Sequence, residues 1–202
     1  TWANDNKTIF YTKKDDITLR SYQIYRHTLG TDSSEDILVY EENDDTFSCY
    51  VYKTKSRKYL MIGSYHTLSS EYRFLDANNP EGKWTVIQPR ERDLEYYVSH
   101  YKDNFYIRTN WNAKNFRLMK TSVNSTLKSN WKEVIAHRDD VLLRRINIFK
   151  NYLVVNERKE GITQVRVINW SNKSDYYITF NDPTYSLYSS TNLEFDTDSF
   201  RF

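Results

Sequence analysis

Four histidines, one cysteine, an acidic run and a large supply of serine and aspartate are the reactive groups of this chain. Serine hydrolase chemistry needs its nucleophile on a strained turn, written Gly-x-Ser-x-Gly. None of Gly30, Gly63, Gly82 and Gly161 begins such a motif. His27, His66, His100 and His137 are too far apart in sequence to suggest a zinc pair. Triads drawn from residue supply alone have no basis, so each histidine is read as a packed or surface residue. The single Cys49 excludes an internal disulfide and a cysteine zinc site, and its apolar neighbours make it a small packed side chain. There is no phosphate loop and no dinucleotide fingerprint. Glu41-Glu42-Asn43-Asp44-Asp45 lacks calcium-loop spacing and is read as a solvated connection. No catalytic residue, metal ligand or cofactor site is assigned. The sequons at Asn6, Asn124, Asn169 and Asn172 are expected by chance in so Asn- and Ser-rich a chain.

The elements that carry these residues are short strands that recur. Thr8-Ile9-Phe10-Tyr11 is echoed by Lys58 to Ile62, by Asn104 to Ile107, by Asn151 to Val155, and by Ser199-Phe200-Arg201-Phe202 at the end. With Ile9, Tyr59, Phe105, Tyr152 and Phe200 as equivalents, the steps are 50, 46, 47 and 48 residues. Within the second repeat, strands are predicted at 46–52, 59–65, 71–76 and 84–88. The third runs 94–101, 105–109, 116–121 and 131–137; the fourth runs 142–149, 152–157, 164–169 and 176–180. The first has strands at 8–12, 22–28 and 37–40, with its opening strand reduced to the stub Thr1-Trp2-Ala3. A polar turn precedes each second strand: Asn4-Asp5-Asn6-Lys7, Ser56-Arg57-Lys58, Lys102-Asp103-Asn104 and Lys150-Asn151.

Four strands per repeat, each joined to the next by a short turn, make the meander of a β-propeller blade. The fold class is therefore all-β, a partial propeller of four-stranded antiparallel blades. The blades are expected at 1–43 (incomplete), 44–91, 92–140, 141–183 and 184–202 (incomplete). A β-sandwich also has short, evenly spaced strands, but its echo would be between pairs rather than groups of four. In a propeller the first strand of each blade lines the central channel. Asp44, Asp45, Thr46, Asp93 and Glu95 are the candidate residues at one channel mouth, where carboxylates would favour basic peptide segments. An open set of blades leaves apolar faces uncovered, so the chain is expected to self-associate or to be only marginally stable alone.

The composition agrees. Of 202 residues, 39% are apolar and 28% charged, enough for a packed core. Eighteen Tyr, 10 Phe and 5 Trp suit half-exposed strands, whereas 4 Gly and 3 Pro leave the turns to Asn, Asp, Lys and Ser. Twenty-nine basic and 27 acidic side chains give a net charge of +2, which is no case for nucleic acid or anionic lipid. Lys53 to Lys58 and Arg144-Arg145 are local solvated runs. No stretch approaches the roughly 18 apolar residues of a membrane-crossing helix. The chain starts at Thr1 without an initiator Met or signal peptide and stops inside a repeat, which suggests a segment of a longer protein.

Particular residues carry a resemblance. Trp2-Ala3-Asn4-Asp5, Ile9-Phe10-Tyr11, the run from Thr18 to His27 and Leu29-Gly30-Thr31 resemble the oligopeptidase B (protease II) group of the prolyl oligopeptidase family. The similarity continues through Val39 to Glu42, Asp44-Asp45-Thr46, Ser69-Ser70-Glu71, Leu75-Asp76-Ala77, Pro89-Arg90, Phe105 to Arg108, Leu153 to Val155 and Asn181-Asp182-Pro183. It implies a parent peptidase that pairs an α/β-hydrolase domain, carrying a Ser/Asp/His triad, with a seven-bladed propeller. The propeller would cover the active site, restrict cleavage to short peptides and leave specificity for Lys or Arg to the hydrolase domain. The parent would be cytoplasmic or periplasmic. Residues 1–202 resemble the propeller alone and should not hydrolyse peptides by themselves. Arg144-Arg145 stands where the family tends to carry an acidic residue and glycine, Leu94 replaces a frequent His, and Asn156 a frequent Glu. The competing reading is a free-standing propeller-like module that binds peptide or carbohydrate.

Overall fold

A computed structural model describes residues 1–202. Its strands form four antiparallel meanders in which every strand pairs with its neighbours in sequence. The chain divides into two compact units, Thr1–Glu95 and Tyr96–Phe202.

The first unit holds two sheets. One contains β1 (Thr8–Lys14), β2 (Ser21–Thr28) and β3 (Ile37–Glu41); the other contains β4 (Ser48–Lys53), β5 (Tyr59–His66), β6 (Ser69–Asp76) and β7 (Thr85–Gln88). The expected opening stub is real: Trp2 bridges Ile9, and the Phe10 N–H donates to the Thr1 carbonyl at 2.8 Å. Phe10 and Ile24 from the first sheet share a core with Cys49, Leu60, Ile62 and Leu75 from the second, and Trp84 meets Phe10 edge-on at 5.7 Å. β5 reads Tyr-Leu-Met-Ile-Gly-Ser and is buried on both faces, so it shows an apolar run instead of the alternation of a half-wet strand. Gly63 sits in that run because a Cβ there would lie 2.6 Å from the Tyr50 ring.

The second unit repeats the plan. β8 (Tyr96–Tyr101), β9 (Asn104–Thr109), β10 (Arg117–Ser122) and β11 (Lys132–Ile135) make one sheet; β12 (Val141–Ile148), β13 (Tyr152–Lys159), β14 (Ile162–Asn169) and β15 (Asp175–Tyr177) make the other. Leu118 and Ile135 pack with Leu143, Ile148, Leu153 and Val155 between these sheets. Trp170 stacks on Tyr101 at 4.6 Å and donates its indole N–H to the Phe149 carbonyl. The far face of the last sheet is covered by the chain's own end, through Leu187 and Phe200 against Phe149, Val154 and Val167.

Three of the four recurring polar turns have a shared backbone reason. Asn6, Arg57 and Lys102 each adopt positive φ, at 56°, 60° and 53°. Non-glycine residues thus occupy left-handed positions, which is how a chain with so few glycines turns so often. Three expectations need correction. Asp44 to Phe47 is a turn, closed by the Phe47 N–H on the Asp44 carbonyl, so β4 begins at Ser48 and not at Thr46. Likewise the Leu94 N–H closes on the Glu91 carbonyl, and β8 begins at Tyr96. Residues 178–202 contain no strand, because their backbone groups find scattered partners such as the Asn192 side chain instead of a ladder.

Candidate functional site: buried carboxylates between successive sheets

The acidic run at Glu41 to Asp45 is not uniformly solvated. Glu41 points outward, but Glu42 is 3% exposed. Glu42 lies just after β3, where its N–H caps the Tyr22 carbonyl at 2.7 Å. Its carboxylate accepts hydrogen bonds from Arg90 Nη2 at 2.6 Å, from the Tyr40 hydroxyl at 2.6 Å, from the Ser64 hydroxyl, and from the Asp44 N–H at 3.1 Å. Burial alone would raise its pKa; the donations from Arg90, Ser64 and Tyr40 outweigh that and bring it from 4.5 down to about 2. A carboxylate so held stays ionised and transfers no proton near neutrality.

Arg90 follows β7 and bridges two buried carboxylates. Its backbone N–H donates to Glu71 at 2.9 Å, Glu71 also pairs with Arg73 at 2.6 Å, and the Arg90 guanidinium lies 4.0 Å over the Phe47 ring. Arg20, from the β1–β2 turn, adds donations to the carbonyls of Glu42, Asp44 and Phe47. The connection leaving the first sheet is therefore bonded to β5 and to the connection leaving the second, whose Arg90 is bonded in turn to β6.

A corresponding arrangement occurs in the second unit. Glu157 on β13 is fully buried and accepts from Arg138, in the β11–β12 connection, and from the Tyr177 hydroxyl at 2.7 Å. Arg166 approaches it at 3.6 Å and forms a two-pronged pair with Asp175, which raises the Arg166 pKa. Arg108, between the Tyr97 and Phe116 rings, donates to the Leu143 carbonyl as Arg20 does in the first unit. Arg138 follows Arg90 by 48 residues, one repeat. Both arginines leave the last strand of a sheet, where only the next turn separates them from the following sheet.

The residues proposed for a channel mouth occupy two turns. Asp44 accepts from the Thr46 hydroxyl at 2.6 Å and lies 3.9 Å from Arg90, and Asp45 is exposed beside it. Asp93, with φ 63°, donates its N–H to Ser69 and lies 3.7 Å from Arg92, whereas Glu95 is half-buried. Asp44 and Thr46 are thus brought together, each turn leading into the first strand of a sheet. His27 Nδ1 donates to the Asp36 carboxylate at 2.6 Å, and the Tyr11 hydroxyl donates to the same carboxylate at 2.7 Å, which pushes Tyr11 up to about 12. The hydroxyl of this trio engages the carboxylate and not the imidazole, so it lacks the nucleophile–base contact of a triad. Burial pushes the Cys49 thiol up to about 12. Sequence reading missed Glu42, Glu71 and Glu157; the one signal was Arg90 standing a full repeat beyond Glu42.

Consecutive antiparallel meanders, each packed through an apolar face onto the next within its unit and fastened by an arginine from the exit turn, define a β-propeller segment. The family model described as "Prolyl oligopeptidase, N-terminal beta-propeller domain" matches residues 1–202, and the chain belongs to that family. It is 40% identical over 202 residues to dipeptidyl aminopeptidase BI of Pseudoxanthomonas mexicana, covering 100% of this chain and 28% of that protein. It is 29% identical over 197 residues to protease 2 of Moraxella lacunata, covering 98% of this chain and 28% of the relative. Among solved structures, oligopeptidase B from Leishmania major superposes with a TM-score of 0.92 at 28% identity, over 99% of this chain and 29% of that one. The chain therefore spans less than a third of the length of these relatives.

Proposed function

We propose that this chain is the part of a serine oligopeptidase that covers the active site of an α/β-hydrolase domain and limits access to short peptides. The superposition on oligopeptidase B from Leishmania major over 99% of the chain is the observation that carries this reading. The buried Glu42–Arg90 and Glu157–Arg138 contacts support it physically, because a cover that excludes water and folded protein must hold its sheets in register while the domains separate and close. Asp44, Asp45, Thr46, Asp93 and Glu95 sit in turns entering the first strands, where they would favour basic peptide segments. This agrees with cleavage after Lys or Arg by the hydrolase domain.

A second reading is favoured by the 40% identity to a protein named dipeptidyl aminopeptidase BI. It keeps the same covering role but releases dipeptides from a free amino terminus. Both readings are tested on the chain joined to its hydrolase domain. Cleavage of an amino-blocked arginyl amide supports an endopeptidase acting after basic residues; cleavage confined to dipeptidyl amides with a free amine supports the second. In either case hydrolysis falls off for longer peptides and for folded proteins. Equal rates on a folded protein and a short peptide would overturn the covering role. Residues 1–202 alone are expected to leave both amides intact.

A further inference from the structure

β12 carries a bulge. Leu143 pairs with Glu157 and Arg145 with Asn156, so Arg144 is the additional residue. A bulge re-aims side chains that would otherwise alternate across a strand. Here both Arg144 and Arg145 line one cleft of about 280 Å³, with Asn156 of β13, Thr163 of β14, and Tyr188 and Ser189 of the covering segment. Neither guanidinium is held in an ion pair, although the same sheet fastens Arg138, Arg166 and Lys159 to carboxylates.

Asn156 supplies the second observation. It is 7% exposed, and the Ser189 hydroxyl donates to its Oδ1 at 2.6 Å, which uses the acceptor end of the amide. Its Nδ2 donor is buried and has no hydrogen-bond partner. Native proteins seldom leave a buried donor unsatisfied. A cleft with two uncommitted guanidinium forks and the Thr163 hydroxyl presents donors to a flat oxyanion, with an unsatisfied amide buried in its wall, and a carboxylate matches the fork geometry of arginine.

We infer that this cleft binds a carboxylate of a peptide, at its C-terminus or on an acidic side chain. That the carboxylate belongs to a peptide rests on the peptidase reading; the cleft and its test require no hydrolysis, so the two fail separately. The test titrates the isotope-labelled 202-residue chain, at low salt and followed by NMR, with four probes: N-acetyl-trialanine with a free C-terminus, its C-terminal amide, N-acetyl-Ala-Glu-Ala amide, and inorganic phosphate. The expected result is saturable shifts centred on Arg144, Arg145 and Asn156 with one or both carboxylate peptides, weakened by added salt. Preference for the first peptide assigns a C-terminus; preference for the third assigns an acidic side chain. The exposed double variant Arg144→Ala/Arg145→Ala should lose affinity by at least about tenfold. Asn156→Asp, which sets a negative charge against the ligand, should lose as much, while Lys132→Ala in β11 should change little. Equal binding of the neutral amide, binding of phosphate alone, or an unchanged affinity in the double variant would each overturn the inference.

Discussion

Replacing Glu42 by Gln tests the coupling between the first two sheets most directly. The change preserves shape and one acceptor but removes the negative charge facing Arg90, Ser64 and Tyr40. Two routes give its size. Removing one member of a buried ion pair costs about 3–5 kcal/mol. Holding a carboxyl at about 2 rather than 4.5 corresponds to roughly 3 kcal/mol at neutral pH. The lower end applies, because Arg90 is 29% exposed and Glu71 lies 3.8 Å from its guanidinium as a second counter-ion. We expect Glu42→Gln to lose about 2–3 kcal/mol at neutral pH in urea unfolding followed by far-UV circular dichroism. The sign with pH follows from the lowered value. The stabilisation is fully present above pH 4.5 and disappears as pH falls toward 2, so parent and variant should converge in acid. A variant within about 0.5 kcal/mol of the parent at neutral pH, with the same acid dependence, would show that Glu42 is not the group linking these sheets.

Gly63→Ala should destabilise by about 1–3 kcal/mol in thermal melting, since the added methyl meets the Tyr50 ring at 2.6 Å and that ring is tied to Tyr72 by its hydroxyl. Leu19→Gly should stabilise by about 0.5–1 kcal/mol, because Leu19 is exposed and holds φ 59°, a conformation glycine adopts without the Cβ penalty. A loss of stability in that variant would mean the turn is held by the leucine side chain. The chain should sediment with concentration-dependent mass. Tyr11, Tyr25 and Leu38 are cross-strand neighbours on the outward face of the first sheet, and Leu38→Lys should shift the population toward monomer. A single monomeric species across the concentration range would refute this.

Much of the fold was legible because strand pairing here is local. Each strand pairs with its neighbour in the chain, so the two-residue alternation, the turn residues and the period of about 48 all report one geometry. The site was less legible. Glu42 stands in an acidic run whose neighbours are solvated, and its burial depends on Ser64 and Arg90, 22 and 48 residues away. Glu157 looks like an ordinary polar residue of β13 until Arg138 and Tyr177 are brought onto it. The pairing of Arg144 and Arg145 in one cleft follows from a bulge, which leaves no mark in the hydrophobic pattern.

The all-β class, the meander within each repeat and most strand limits can be read from the order of residues alone, since they depend on side-chain alternation and on turns between adjacent segments. Which charges are buried, which are paired and which arginines stay uncommitted follows only from packing in three dimensions. Those outcomes depend on the face one sheet presents to the next, and local residue preferences carry no information about the distance between groups separated by a whole repeat.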